Sequence, residues 1–452
     1  MIKLSKRDNN STLKVLAIIA ISLAFYLLSV RFFTPLESSL IATIVALVAL
    51  YSSEIIAIGV VSLLPIILFP MLGILDIKST TQNYANPIIY LFLGGFFIAI
   101  AVEKLSIHKY LATKLLAKFA TSTKSTILTL MSLSALLSSL LSNTTTALLL
   151  MPLALFLSKE RAIKARLALA VAYGASIGGI LTPIGTPPNL ILLGFMNQKL
   201  GYSIAFIEWM AMMAPLVIIM IIFCSYLLSI GVSEIKLERF EKSEQKLNKS
   251  QKTLLYLMGS LITILLINAR IEPYWSGLGL DETIVILSFG ILLFLLGILQ
   301  WSEDIKKVPF EIMFVFGAGF AIANAFSATG LDIKLSSYLS SISTLNIFII
   351  IAMIALITTF ATEITSNTAL ISIMLPIIYA LSLSQEPLYL MIVATISASF
   401  AFMLPIATPP NAIAMSSRAT TVSQMIRFGL VLNIVGAIAI SILAYFYWSL
   451  FF

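Results

Sequence analysis

Two copies of the tripeptide Ser-Asn-Thr, at 142–144 and 366–368, lie in the middle of long apolar segments and are separated by a constant offset of 224 residues. Other blocks repeat in the same order. Gly95-Phe96 matches Gly319-Phe320 at 224, and Thr186-Pro187-Pro188-Asn189 matches Thr408-Pro409-Pro410-Asn411 at 222. Pro152 and Pro376 each lie nine residues after their Asn. Three blocks in one order at nearly one spacing define an internal repeat, so the fold must be built from two copies of one unit.

The surroundings of these blocks fix the medium. Of 452 residues, 60% are hydrophobic and only 11% are charged, against about 25% charged in a soluble domain. The mean hydropathy of +1.05 leaves room for little besides membrane helices, each needing roughly 20 apolar residues. Short alternating strands are absent, which argues against a β-barrel. The expected fold is an all-α polytopic membrane protein with about eleven transmembrane helices.

Apolar segments run over Lys14–Val30, Glu37–Tyr51, Glu54–Leu75 and Asn86–Val102. No small-residue cleavage pattern follows the first, so it reads as a retained helix rather than a signal peptide. Leu105–Ala120 sets Lys109, Lys114 and Lys118 against Leu111, Leu115 and Phe119, the pattern of a basic amphipathic helix lying in the interface. Two interrupted segments, Lys124–Leu157 and Ala165–Met196, precede Ile204–Ile230. Ser233–Lys252 is the one long hydrophilic stretch and reads as a solvated linker. The second half follows with Thr253–Ala269, Thr283–Leu299, Pro309–Ala328, interrupted Leu345–Leu381, interrupted Pro387–Met415, and Met425–Phe452.

Basic residues set the topology. With the N-terminus cytoplasmic and both Ser-Asn-Thr segments folded as re-entrant hairpins, 23 of the 28 Lys and Arg fall inside; Arg31, Lys78, Lys199, Arg270 and Lys334 remain outside. Full crossings would move the Lys159–Arg166 cluster outside, so hairpins are favoured, the two repeats are inverted, and the C-terminus lies outside. The net charge of +8 is thereby spent on topology and does not imply a nucleic-acid partner. The single Cys224 and single His108 exclude a disulfide framework and a multi-histidine metal site.

Backbone in lipid must satisfy its own hydrogen bonds. Ser138-Ser-Leu-Leu-Ser-Asn-Thr-Thr-Thr146 and its partner Thr362-Glu-Ile-Thr-Ser-Asn-Thr368 are rich in residues that cap and turn, and read as hairpin tips; helix–helix packing through small polar residues is the alternative. In Gly185-Thr-Pro-Pro-Asn189 and Ala407-Thr-Pro-Pro-Asn411, paired prolines break the helix. Freed carbonyls suit a cation, and the following half-helix aims its N-terminal N–H groups at an anion. No Lys, Arg or His lies in these four segments, so the charge of a bound anion needs compensation from elsewhere. Cations on Ser, Thr, Asn and carbonyl oxygens would supply it, although helix dipoles alone could suffice. Glu363, the one acid there, either bonds hairpin backbone or is tied to coupling or protons.

These residues resemble the divalent anion/sodium symporter family, kin of solute carrier family 13, whose hallmarks are paired Ser-Asn-Thr tips and paired Thr-Pro-Pro segments. The resemblance covers nearly the whole chain. It implies a homodimer with a scaffold (1–123 and 253–344, the first part including the interfacial helix), a moving transport part (124–232 and 345–452), a cytoplasmic linker (233–252) and an elevator motion. By motif, the substrate would meet Asn143, Thr144, Thr186, Asn367, Thr368, Thr408 and Pro409. A first sodium would use Ser138, Ser142, Asn143 and Gly185, and a second Thr362, Thr365, Asn367 and Ala407. Thr186 stands where some members have Ser, Thr145-Thr146 follow the first tip, and Leu370-Ile371 follow the second, departures that bear on substrate size and selectivity.

The expected function is sodium-coupled symport of C4-dicarboxylates in a bacterial inner membrane, with no organic cofactor. Alternatives on this fold are dicarboxylate exchange or sulfate or citrate transport; an ion antiporter or channel on a related scaffold is a further one. An enzyme is least expected, because the apolar segments hold no paired acids, nucleophile–base set or metal cluster.

Overall fold

The computed structural model describes residues 9–53, 55–232, 247–269, 275–339, 345–381 and 387–452. Among them the chain is all helical, with no strand. The first half comprises α1 (Asn9–Ser29), α2 (Pro35–Ser53), α3 (Ile58–Met71), α4 (Ile77–Gln82), α5 (Pro87–Lys104), α6 (Ile107–Phe119), α7 (Thr123–Ser138), α8 (Asn143–Phe156), α9 (Arg161–Gly179), α10 (Pro187–Leu200) and α11 (Phe206–Ser229). The second comprises α12 (Lys249–Asn268), α13 (Glu282–Leu295), α14 (Trp301–Asp304), α15 (Phe310–Thr329), α16 (Leu331–Leu339), α17 (Ile347–Ala361), α18 (Asn367–Leu381), α19 (Pro387–Ala398), α20 (Pro409–Ser416) and α21 (Val422–Phe446).

Local chemistry sets the boundaries. Asn86 caps α5 by accepting from Ile88 N, with Pro87 at the first helical position, where its missing N–H is not needed. Ser122 with Ser125 and Thr421 with Gln424 form reciprocal caps at the starts of α7 and α21. Gly201 and Gly330, at φ 61° and 77°, end α10 and α15 in the left-handed conformation that glycine adopts without strain.

Seven helices among the described residues are long and apolar enough to cross a membrane, and several shorter apolar helices accompany them. In α1 and α12 only 11% of the apolar window is buried. Leu16, Ile19, Leu23 and Leu27 on α1 are all more than half exposed, which in water would be an extensive apolar surface and in lipid is the expected contact.

The repeat is visible helix by helix. α3 at 58–71 and α13 at 282–295 correspond residue for residue at the offset of 224. The packing is reciprocal: α5 lies against α13 while α15 lies against α3, and α10 meets α18 and α19 while α20 meets α8 and α9. Contacts that exchange in this way are what a two-fold relation between halves produces. Close approach fixes small residues at these crossings. A Cβ on Gly94 of α5 would sit 2.7 Å from the Ile286 carbonyl oxygen of α13.

Some boundaries differ from the sequence expectation. The expected linker 233–252 is only partly described, since 233–246 lie outside the described residues; α12 already begins at Lys249, because Asn248 and Gln251 form a capping box. Lys3, Lys6, Arg7 and Arg270 also lie outside. The short helices α4, α14 and α16 were not anticipated. α4, with sequence IKSTTQ, is too short and polar to show apolar periodicity; it forms because Asp76 caps Ser79 N. The amphipathic segment expected over 105–120 is helix α6, which buries Ile107, His108, Ala112 and Leu116 on one face.

Candidate functional site

Both Ser-Asn-Thr segments are hairpin tips. α7 ends at Ser138 and α8 starts at Asn143, with 139–142 outside either helix. Ser142 caps α8, its hydroxyl accepting from Thr145 N at 3.1 Å. Behind the tip the Ser138 hydroxyl donates to Asn143 Oδ1 at 2.6 Å. The second tip copies this: α17 ends at Ala361, α18 starts at Asn367, and Thr362 Oγ1 lies 2.7 Å from Asn367 Oδ1. Ser138 and Thr362 are both fully buried. Their roles match because 138 and 362 are themselves related by the repeat.

Both Thr-Pro-Pro segments start half-helices. α9 stops at Gly179 and α10 resumes at Pro187; α19 stops at Ala398 and α20 resumes at Pro409. The carbonyls freed between them are held by two asparagines to which the sequence alone assigned no role. Asn189 Nδ2 donates to Thr182 O at 2.9 Å and Gly179 O at 3.3 Å. Asn411 Nδ2 donates to Ala401 O at 3.0 Å and Leu404 O at 3.0 Å. Their position directly after Pro-Pro in both repeats was the available signal.

Glu363 lies 3% exposed beside the second tip. It accepts hydrogen bonds from Met403 N at 2.8 Å, Leu404 N at 2.9 Å and Asn433 Nδ2 at 2.7 Å. Of the two readings open from sequence, the backbone-bonding one describes this geometry, with one change. The backbone it holds belongs to the unwound stretch between α19 and α20, not to its own hairpin.

The four elements converge on one cavity of about 820 Å³. Asn143, Thr144, Thr186, Asn367, Thr368, Thr408 and Pro409 all line it, as do Ser142, Gly185, Thr365 and Ala407. Ser138 and Thr362 do not; they stand one layer behind, against the two asparagines. α5 and α2 add a wall not foreseen from sequence, including Phe92, Gly95, Phe96, Tyr51 and Ser53. Gly95-Phe96 was visible as a repeat mark, yet its partner Gly319 packs instead against Ser372, so only one copy faces the cavity.

The chemistry of the wall is specific. Among the described residues no charged side chain lines it. First-turn residues of α8, α10, α18 and α20 all face it, so four helix N-termini surround the space. Each such end carries the equivalent of about half a positive charge, which favours an anion. Thr186 makes no cap hydrogen bond within α10, whereas Thr408 accepts one from Asn411 N; the Thr186 hydroxyl is therefore available to a ligand. Oxygen crowding is tight behind each tip. Thr362 Oγ1 has acceptors at 2.7 Å (Asn367 Oδ1) and 2.8 Å (Ala398 O), but one hydroxyl hydrogen to give. In the first half, a Cβ on Gly179 would lie 2.6 Å from Asn143 Oδ1, and one on Gly185 would lie 2.4 Å from Gly179 O.

Comparison with known proteins agrees with this architecture. The family model described as "Citrate transporter" (CitMHS) matches residues 45–387. The sodium-dependent dicarboxylate transporter SdcS of Staphylococcus saprophyticus is 32% identical over 433 residues, covering 87% of this chain and 83% of that protein. SdcS of Staphylococcus aureus is 32% identical over 488 residues, covering 98% and 93%. Among solved structures, MtrF of Neisseria gonorrhoeae, from a class of antimetabolite efflux pumps, superposes with a TM-score of 0.57 at 16% identity, covering 82% of this chain and 83% of MtrF. The YdaH transporter of Alcanivorax borkumensis gives 0.56 at 14%, covering 82% and 88%. At such identities these two speak for the fold alone. The protein is an integral membrane transporter and not an enzyme, and the chain belongs to the CitMHS citrate-transporter family, within the divalent anion/sodium symporters that its paired motifs resemble.

Proposed function

We propose that the protein carries C4-dicarboxylates such as succinate, malate or fumarate into the cell together with sodium. The observation that carries this reading is the cavity itself: a wall with no charged side chain among the described residues, two asparagine tips related by the repeat, and four helix N-termini around one space. A C4-dicarboxylate has one carboxylate for each tip. Asn143 and Thr144 would take one, Asn367 and Thr368 the other, with Thr186, Thr408 and Pro409 closing the sides. The names of the SdcS relatives, sodium-dependent dicarboxylate transporters, support the same substrate class and coupling ion.

Among the described residues the wall has no basic side chain, so the two carboxylates would rest on helix dipoles, and closer neutralisation needs cations. Sodium ions taking oxygen ligands behind each tip answer that need. The first would use Ser138, Ser142, Asn143 and the Gly185 carbonyl; the second Thr362, Thr365, Asn367 and the Ala407 carbonyl. The surplus of oxygens over hydrogens around Thr362 favours a cation there.

Transport is proposed to follow an elevator movement of 124–232 and 345–452 against a homodimeric scaffold of 1–123 and 253–344, in a bacterial inner membrane with the N-terminus cytoplasmic and the C-terminus outside. The test is labelled succinate uptake into liposomes containing the purified protein. Uptake driven by an inward sodium gradient and absent when potassium replaces sodium is the expected result. Uptake unchanged in potassium would remove the coupling, and uptake that requires internal dicarboxylate but no sodium would select an exchanger.

A further inference from the structure

The two halves copy one another in sequence, yet three matched pairs of residues differ in contact. Ile184, just before the first Thr-Pro-Pro, rests on Gly95 of α5: a Cβ there would lie 3.3 Å from Ile184 Cδ1 and 3.6 Å from its Cβ. The matching pair is Ile406 and Gly319, at offsets of 222 and 224. That pair is not joined. The atoms nearest a Cβ on Gly319 belong to Ser372 of α18 and Ile191 of α10. Both isoleucines border the cavity, but Ile184 is half-buried on its glycine while Ile406 stands 76% exposed.

The second pair shows the converse. Ser372 occupies Gly319, whereas its match Leu148 on α8 is 57% exposed. Likewise α18 lies against α15, while α8 has no comparable packing against α5. In the third pair, Phe320 of α15 fills the space over Gly194 of α10, where a Cβ would collide with its ring. Phe96 and Ser416, their matches at the same two offsets, both line the open cavity. Every one of these contacts crosses between the static and moving parts proposed above. Each half is thus equipped for contacts that only the other half makes. The cavity reaches Tyr51, Ser52, Ser53 and Ile58 at the α2–α3 corner, the cytoplasmic side in the proposed orientation, so the arrangement is inward-open.

We propose that Gly95 and Gly319 are alternate seats for the moving part, and that the transport stroke exchanges their occupants. In the outward-open state Ile406 rests on Gly319, Leu148 on Gly95 and Phe96 against Ser416, while Ile184, Ser372 and Phe320 are released. Glycine suits each seat because it lets a neighbour approach the backbone closely. Apolar surface uncovered at one seat is covered at the other, which keeps the two ends of the stroke close in free energy. Ile184 and Ile406 are positioning residues: they set where the moving part stops. This rests on the elevator movement proposed above.

The test is disulfide trapping in the full-length protein in liposomes, read as cross-link yield and as succinate uptake; the native Cys224 is fully buried. With Cβ atoms 3.6 Å apart, inside the roughly 3.5–4.5 Å that a disulfide spans, Gly95→Cys/Ile184→Cys closes on oxidation. Uptake stops until reductant is added. Gly319→Cys/Ile406→Cys, apart in the inward-open state, also closes and also stops uptake, because cycling brings the two together. A Cβ on Gly319 lies 2.9 Å from Ser372 Oγ, so Gly319→Cys may be too crowded to fold; Gly95→Cys/Leu148→Cys then decides, and it closes as well. Failure of both of these pairs to cross-link in protein that transports overturns the proposal. A further cross-link, between Asn83→Cys and Gln198→Cys, separates the two readings. Arrest of uptake by that cross-link, with both seat pairs still open, removes this inference alone. Uptake that continues through it removes the elevator movement and this inference with it.

Discussion

Asn143 and Asn367 each have the amide oxygen engaged from behind by a hydroxyl, of Ser138 and Thr362 respectively, which leaves the amide N–H groups for a ligand. A hydrogen bond from such a group to a carboxylate contributes about 1.5–3 kcal/mol. Asn143→Ala and Asn367→Ala should each reduce succinate uptake roughly tenfold to a hundredfold, with membrane insertion retained. Normal uptake by both would refute the assigned site. Asn411 does a different job. Asn411→Ala strips the buried Ala401 carbonyl of its donor, while Leu404 O keeps the Ala407 N–H, at a cost of about 1–3 kcal/mol for the unsatisfied group. A lowered melting temperature together with lost transport is expected, and a melt identical to wild type would show that the unwound stretch holds itself. The tips and Pro-Pro breaks were legible in sequence because they repeat at a fixed offset. The asparagine braces were not, because their role depends on which carbonyls the unwinding frees. The partners of Glu363 were hidden for a related reason: Asn433 lies 70 residues away along the chain, and no periodicity links the two.

At the scale of elements, helix crossings are fixed by the absence of side chains. α7 and α9 meet so closely that a Cβ on Gly178 would lie 2.2 Å from both Cα and O of Ala135. Gly178→Ala must push the backbones apart, and overpacking of this kind costs about 1–3 kcal/mol. The expected outcome is a lower melting temperature and a weakened first tip, seen as reduced uptake; an unchanged melt would mean the crossing is looser than described. Hairpins were predictable because the distribution of Lys and Arg favours re-entrant segments over full crossings. The short helices α4, α14 and α16 escaped notice because four to nine residues with polar side chains carry too little apolar pattern to register.

For the whole molecule, the contacts between the proposed moving and static parts matter most. Gln198 of α10 donates to Asn83 at 2.9 Å, and Lys199 donates to Ser327 of α15 at 2.7 Å. An elevator movement has to break both. Cysteines introduced at 83 and 198 and joined by a short bifunctional thiol reagent should arrest uptake, with the native Cys224 silent because it is fully buried. Uptake that continues after complete cross-linking would contradict relative movement of these parts.

The central claim is that two hairpin tips from opposite halves of the chain enclose a single anion between them. A density map of the protein in lipid with succinate and sodium measures this directly. The account predicts one elongated density in the cavity, one end within hydrogen-bond distance of Asn143 and the other of Asn367. Succinate bound elsewhere, or tips separated so that no single molecule reaches both, would contradict it.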